Sequence, residues 1–307
     1  MENIGVYAAR IAPKLDGLAP GHRACIGCGE ALAVRIAMKA LGSNIIIANA
    51  TGCMEVVSSQ MPATAWDVPW IHTLFENTAA VASGIESALK VLERKGKTPA
   101  KGTKVVAMGG DGSTSDIGFQ ALSGALERGH DFLYLMFDNE AYMNTGIQRS
   151  SATPYGASTT TSPVGKKSIG QKTWKKNMPA IVAAHDIPYV ATASPCYPFD
   201  MMEKVKKGLS VNGPTFISVF SVCPTGWRSA PELSVRLGRL AVQTAIFPLY
   251  EVENGKYKLT IEPSPIRPVQ DYFKLQARFR HLSEGNIKEI QERVTSEYES
   301  LKRKIAC

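Results

Sequence analysis

The segment Lys104-Val105-Val106-Ala107-Met108-Gly109-Gly110-Asp111-Gly112-Ser113 runs from a short apolar stretch straight into a glycine-rich turn. The stretch Lys104–Met108 reads as a buried strand, and residues Asp116–Arg128 carry a helical period, so the turn joins strand to helix. Backbone N–H groups at such a turn point outward over the strand end, which suits a phosphate. The glycines allow close approach and unusual backbone angles. Asp111 adds a hard oxygen of the kind magnesium prefers, and Mg²⁺ bridging a diphosphate takes one or two side-chain ligands plus phosphate oxygens.

The same alternation repeats on either side. Strands are expected at Asn44–Ala48, Phe132–Phe137, Tyr189–Ala193 and Thr215–Ser221, with helices at Glu30–Leu41, Asn77–Glu93, Pro179–His185 and Pro198–Leu209. This pattern predicts an α/β fold with a doubly wound, mostly parallel sheet whose ligands sit outside the C-terminal strand ends. The strand ending at Phe137 brings Asp138-Asn139-Glu140 to the same edge as Asp111. Gly-Asp-Gly alone is a common loop turn. Paired with an Asn after the next strand, 139 − 111 = 28 positions on, it is far less ambiguous.

The stretch from Asn144 to Lys176 is rich in Thr, Ser, Gly and Lys, lacks either period, and is too long for an ordinary connection, which points to function. Beyond Trp227 the pattern changes to a helix around Glu232–Phe247, a strand at Tyr257–Ile261 and a terminal helix. In that helix Ile287, Ile290, Val294, Tyr298 and Leu301 form one apolar face. The expected division is a cofactor-binding domain over 1–227 and a C-terminal helical extension over 228–307 that packs on the domain or on a partner subunit.

Of 307 residues, 44% are hydrophobic and 20% charged, the balance of a soluble globular chain. No apolar run reaches the roughly 18 residues of a membrane span. Met1–Asp16 lacks the apolar segment and cleavage site of a secretion signal, so a cytoplasmic location without membrane contact is expected. Lys and Arg exceed Asp and Glu by 35 − 27 = 8. That surplus is spread along the chain with no aromatic-interleaved basic motif, so nucleic acid is not an expected partner.

Six cysteines occur: Cys25, Cys28, Cys53, Cys196, Cys223 and Cys307. Without a secretion signal, closely spaced cysteines favour metal over disulfide. Cys25-Ile26-Gly27-Cys28-Gly29 is a short loop able to aim two thiolates at one centre. Cys53 and Cys223 each follow a predicted strand, so four thiolates can converge on one rim. Spacing leaves a [4Fe–4S] cluster, a structural zinc and, for the first pair, a redox dithiol all open.

The Asp111 and Asn139 pair resembles the signature of thiamine-diphosphate enzymes. The blocks His22–Glu30, Asn49–Cys53, Pro69–His72 with Phe75–Asn77, Thr153–Thr160 and Cys223–Trp227 resemble, in that order, the β subunits of pyruvate:ferredoxin oxidoreductases in the 2-oxoacid:ferredoxin oxidoreductase family. The similarity spans about His22 to Leu282. It implies a thiamine-diphosphate-binding type of fold in which Asp111, Asn139 and the Ala141 carbonyl hold Mg²⁺. Gly110, Gly112, Ser113, Asn144, Thr145, Gly52 and Cys53 would contact the cofactor. Cys25, Cys28, Cys53 and Cys223 would carry one [4Fe–4S] cluster, with Cys196 and Cys307 as bystanders.

The implied activity is oxidative decarboxylation of pyruvate with coenzyme A to acetyl-CoA and CO₂. Electrons would pass from thiamine diphosphate through the cluster to ferredoxin. A branched-chain 2-oxoacid, 2-oxoglutarate or oxalate is the alternative substrate, since partner chains contribute much of the pocket. A non-catalytic electron-transfer module and a non-oxidative decarboxylase with structural zinc are the readings from other classes. The resemblance places the glutamate that activates the aminopyrimidine on a partner, so α, γ and ferredoxin-like δ subunits are expected and the chain alone is inactive. Asn144 and Glu30 are the local catalytic candidates. Glu55, Glu76, His72 and Asn77 are further pocket candidates whose structural roles are at least as plain.

Overall fold

The computed structural model describes residues 16–60, 62–97 and 102–306; Cys307 and the segment 1–15, on which the expected absence of a secretion signal rests, lie outside the described residues. The strands are β1 (Ile45–Ala50), β2 (Trp70–Thr73), β3 (Lys104–Gly110), β4 (Phe132–Asp138), β5 (Val164–Gly165), β6 (Ser168–Ile169), β7 (Tyr189–Ala193), β8 (Thr215–Phe220), β9 (Leu249–Glu253) and β10 (Lys256–Ile261). Eight of them form one sheet in the order β10-β9-β7-β8-β4-β3-β1-β2. The pairings from β7 to β2 are all parallel, and β9 and β10 add antiparallel at one edge. β5 and β6 make a separate small hairpin.

Side chains on successive strand positions point to opposite faces, and here both faces are covered. Val106 and Met108 of β3, with Leu133, Leu135 and Phe137 of β4, pack under helices α1 (Gly29–Leu41) and α6 (Pro198–Ser210). Their neighbours Val105, Ala107, Phe132, Tyr134 and Met136 pack on the other face, under α3 (Thr78–Arg94), α4 (Phe119–Glu127) and α5 (Met178–Ala183). A third apolar cluster joins Phe220, Val222 and Trp227 to Leu237, Phe247, Tyr272 and Phe279 from the later part of the chain.

Several elements differ from the periodicity-based expectation. β2 is only four residues long, too short to display a period, and gains its place by parallel pairing with β1. The segment expected as one helix over Glu232–Phe247 ends at Gln243 as α8 (Ser234–Gln243), because Ala245 adopts φ 59° and turns the chain into β9. β9 and β10 are joined by Asn254-Gly255 with φ 48° and 78°, the two positive angles of a tight hairpin turn that this dipeptide favours. The helix expected from Asp116 begins earlier: a π-helical turn at Ser113–Ile117, closed by Gly118 N–H on the Ser113 carbonyl at 2.8 Å, precedes α4. Such turns recur at functional sites.

In the terminal helix α10 (Glu284–Ala306), Ile290, Tyr298 and Leu301 of the expected apolar face are buried against the parent chain, with Ile287 and Val294 half-buried beside them. One buried cation locks helix to sheet. Lys204 of α6, 2% exposed, donates to Asp200 at 2.7 Å, the Thr192 carbonyl of β7 at 2.8 Å and Thr260 Oγ1 of β10 at 2.7 Å. Breaking a buried pair by removing one member leaves an uncompensated charge, so Lys204→Met is expected to lower stability by about 3 kcal/mol. Urea unfolding measures it; a midpoint unchanged from the parent contradicts the bolt.

Candidate active site

Parallel pairing places the C-terminal ends of β1, β3, β4 and β8 at one edge of the sheet. The chain leaves them as Thr51-Gly52-Cys53, Asp111-Gly112-Ser113, Asn139-Glu140-Ala141 and Ser221-Val222-Cys223. Gly110 is in register with Phe137, so Asp111 and Asn139 emerge from neighbouring strands.

Asp111 is fully buried. Its Oδ2 accepts from Ser150 Oγ, while its Oδ1 has no hydrogen-bond partner. Asn139 is buried too: its Nδ2 donates to Glu30 Oε2 at 3.1 Å, and its Oδ1 has no partner. Burial, and then the charge of Asp138, push the Asp111 carboxyl well above the usual carboxylate range. Orphaned buried oxygens are costly, and a cation satisfies both at once. The two orphans therefore fit a magnesium ion, with the buried Ala141 two residues beyond Asn139.

Gly112 lies against Tyr142, where a Cβ would come within 2.3 Å of the ring, and Tyr142 Oη donates to the Gly112 carbonyl at 2.9 Å. A side chain at 112 would displace that ring. Gly110 and Gly52 both have open space where a side chain would stand. Ser113 is buried with its hydroxyl donated to the Phe75 carbonyl at 2.5 Å, so only its backbone remains for an anion. Asn144 and Thr145 are exposed at the tip of a turn whose base is the reciprocal pair Tyr142 and Gln148, at 2.9 and 3.0 Å.

Cys28 caps α1, and its Sγ accepts from Ala31 N–H at 3.4 Å. Cys223 caps the short helix α7 (Pro224–Trp227) and accepts from Gly226 N–H at 3.3 Å. Cys53 opens α2 (Cys53–Ser58), an element absent from the expected list. Gly29 N–H bonds the Val222 carbonyl at 2.9 Å, tying the Cys25–Cys28 loop to the Cys223 loop. A Cβ on Gly29 would lie 2.6 Å from the Val222 nitrogen, so the approach needs glycine.

Burial, then Glu30, raises the Cys28 thiol to about 12. Burial raises Cys223 to about 11, and Cys53 is pushed up by burial, Glu30, Cys223, Cys28 and Cys25. The four thiols are thus gathered closely enough to act on one another, and Cys28, Cys53 and Cys223 need positive charge beside them to ionise at neutral pH. That donor set fits a cysteine-held iron–sulfur cluster. Among the described residues no group of three or more His, Cys, Asp or Glu side chains is spaced to hold a single metal ion. Cys196 is buried with Sγ 3.9 Å from the Ser234 carbonyl, and its raised pKa owes nothing to the other four.

Glu30 is fully buried between the two groups. Its carboxyl, raised to about 7 by burial, also accepts from Met54 N–H, next to Cys53. His72 instead pairs outward, with Thr51 Oγ1 at 2.7 Å and Glu55 at 3.8 Å.

Two residues escaped the reading of the sequence. Lys175 Nζ lies 2.6 Å from Asp138 and 2.8 Å from Glu140, and Arg278 Nη2 lies 2.5 Å from the other Glu140 oxygen. Lys175 falls in the long aperiodic stretch, the only signal it carried. Arg278 lies 167 positions beyond Asp111 (278 − 111), in a segment without a motif.

The profile described as "Thiamine pyrophosphate enzyme, C-terminal TPP binding domain" matches residues 50–219. The chain is similar to the pyruvate synthase subunit PorB of Methanocaldococcus jannaschii, 59% identical over 91% of this chain and 94% of that one. It is 50% identical to the ketoisovalerate oxidoreductase subunit VorB of Pyrococcus furiosus, over 92% of this chain and 91% of that one. In fold it resembles the 2-oxoglutarate:ferredoxin oxidoreductase of Magnetococcus marinus, with TM-score 0.58 and 23% identity over 76% of this chain and 82% of that one. The chain belongs to the 2-oxoacid:ferredoxin oxidoreductase family, as a β-type subunit of the pyruvate synthase PorB kind built on a thiamine pyrophosphate-binding domain.

Proposed function

We propose that this chain is the β subunit of a pyruvate synthase, which converts pyruvate and coenzyme A to acetyl-CoA and CO₂ and passes two electrons, one at a time, to ferredoxin. The observation that carries this reading is the pair of orphaned buried oxygens, Asp111 Oδ1 and Asn139 Oδ1, beside a rim of four cysteines. When bound, thiamine diphosphate supplies the nucleophile and transient electron store for decarboxylation, and a [4Fe–4S] cluster the one-electron sink.

The residues of this chain bind and orient. Asp111, Asn139 and the Ala141 carbonyl take the magnesium ion, while Gly110, Gly112 and the Ser113 backbone border the diphosphate. Asn144 and Thr145 lie on the exposed turn that faces outward from the same edge. Gly52 leaves open space next to Cys53 for the cofactor to approach the cluster. Glu30 accepts the Asn139 amide hydrogen, which turns Asn139 Oδ1 to the cation. Its raised pKa keeps a proton available near neutrality. The glutamate that activates the cofactor ring and much of the substrate pocket are assigned to partner chains, of the α, γ and ferredoxin-like δ types. No helix in the described residues is long and apolar enough to cross a membrane, and a cytoplasmic location is proposed with the rest.

The similarity to VorB supports a second reading, the same chemistry on a branched-chain 2-oxoacid. Comparing kcat/KM for pyruvate and 3-methyl-2-oxobutanoate on the assembled oxidoreductase decides between them: a preference for pyruvate of about tenfold or more is expected, and the reverse order moves the assignment.

Asp111→Ala is expected to weaken thiamine diphosphate binding by about 100-fold or more while leaving iron at about four per chain. Retained cofactor affinity in that variant refutes the magnesium assignment. Cys53→Ala loses the visible absorption and iron of the cluster, whereas Cys196→Ala keeps both; equal iron in the two variants overturns the ligand set. Chelating magnesium from the purified protein should release thiamine diphosphate and lower its melting temperature, since a ligand bound only to the native state stabilises it.

A further inference from the structure

The turn that carries Asn139 and Ala141 has Glu140 at its centre, with φ 69°. That left-handed conformation is uncommon for a residue with a Cβ and persists only where the surroundings enforce it. Local bonds contribute: Glu140 N–H donates to Asp138 Oδ1 at 3.2 Å, and the Glu140 carbonyl accepts from Thr153 Oγ1 at 2.8 Å. The stronger hold is on the side chain. Lys175 Nζ takes Oε1 at 2.8 Å, and Arg278 Nη2 takes Oε2 at 2.5 Å, so each carboxylate oxygen has its own cation.

Both cations are themselves fixed. Lys175 also pairs with Asp138 at 2.6 Å. Arg278, 2% exposed, donates from Nε to Gln276 Oε1 at 2.9 Å and from Nη2 to Tyr272 Oη at 3.2 Å, and its guanidinium lies 4.0 Å from the Trp227 ring centroid. Trp227 Nε1 donates to the Asn139 carbonyl at 2.9 Å, so the same residue that stacks on Arg278 also grips the turn from its other end. Asp138 and Glu140 share Lys175, and Asp111 is the one of these three buried carboxyls without a cationic bond.

We propose that Lys175 and Arg278 are positioning residues for the metal: by clamping the two oxygens of Glu140 they hold the Asn139–Ala141 turn in its left-handed form. They thereby present Asn139 Oδ1 and the Ala141 carbonyl beside Asp111, whose own carboxyl is left without a cation from the protein. This inference rests on the magnesium–diphosphate reading of the site. Neither residue touches the reacting atoms. The clamp joins the long loop and the C-terminal region to the metal turn, and its function is mechanical and electrostatic.

The test uses the assembled oxidoreductase carrying the full chain, stripped of magnesium and thiamine diphosphate. Magnesium is titrated at fixed thiamine diphosphate, and binding is read from intrinsic tryptophan fluorescence and equilibrium dialysis. Lys175→Met and Arg278→Met are each expected to raise the magnesium concentration for half-saturation by about tenfold to 100-fold, with iron content unchanged; Arg278→Lys restores part of the loss. Glu140→Gly serves as the second line, because glycine adopts positive φ without help. In that background Lys175→Met adds little to the magnesium requirement if holding the turn is the clamp's main task. A lowered melting temperature with unchanged magnesium half-saturation overturns the proposal, as does a full additive loss in the Glu140→Gly background. If the parent protein itself binds thiamine diphosphate without magnesium dependence, the reading of the site fails instead of the clamp.

Discussion

A buried carboxyl with one oxygen left without a donor, at the end of a parallel strand, is the constraint around which this molecule is arranged. Asp111 is fully buried, next to Asp138 and Glu140, in a place where water cannot screen them. Three carboxyls at such density need cations near, and the chain brings them from far off in sequence: Lys175 from the stretch between β6 and α5, Arg278 from the segment before the terminal helix. The glycines, the π-helical turn and the loop from Asn144 to Lys176 all serve to bring backbone and side chains up to that one edge.

The second group at the edge obeys different chemistry with the same logic. Cys25, Cys28, Cys53 and Cys223 come from three separate loops, and burial keeps the last three protonated unless positive charge is supplied. Glu30 spans the gap, accepting from Asn139 on one side and from the backbone beside Cys53 on the other. The two candidate sites are therefore not independent inserts. They share the Glu30 carboxyl.

Much of this was legible beforehand because it is local. Strand runs, the Gly-Asp-Gly turn, the Cys25 and Cys28 pair and an Asn at the end of a strand are each readable in a short window of the sequence. β2 and α2 were not, being four and six residues long and dependent on neighbours for their existence. β9 was overlooked although Asn254-Gly255 signals a hairpin. Lys175 and Arg278 left no motif because their roles depend on which carboxylate the fold sets opposite them, and single cations among 35 carry no mark of that. The unusual angle at Glu140 is likewise invisible in a residue type that seldom adopts it.

Arg278 stands near the end of the chain, and Cys25 near its beginning. During synthesis, a nascent chain exposes the glycine turn and all four cysteines well before the guanidinium that steadies Glu140 has left the ribosome. The edge that carries Asp111 and Asn139 is thus completed by a part of the chain made after the strands that form it. A fragment that ends before Arg278 would leave Glu140 with only one of its two cations and Trp227 without the guanidinium that stacks on it.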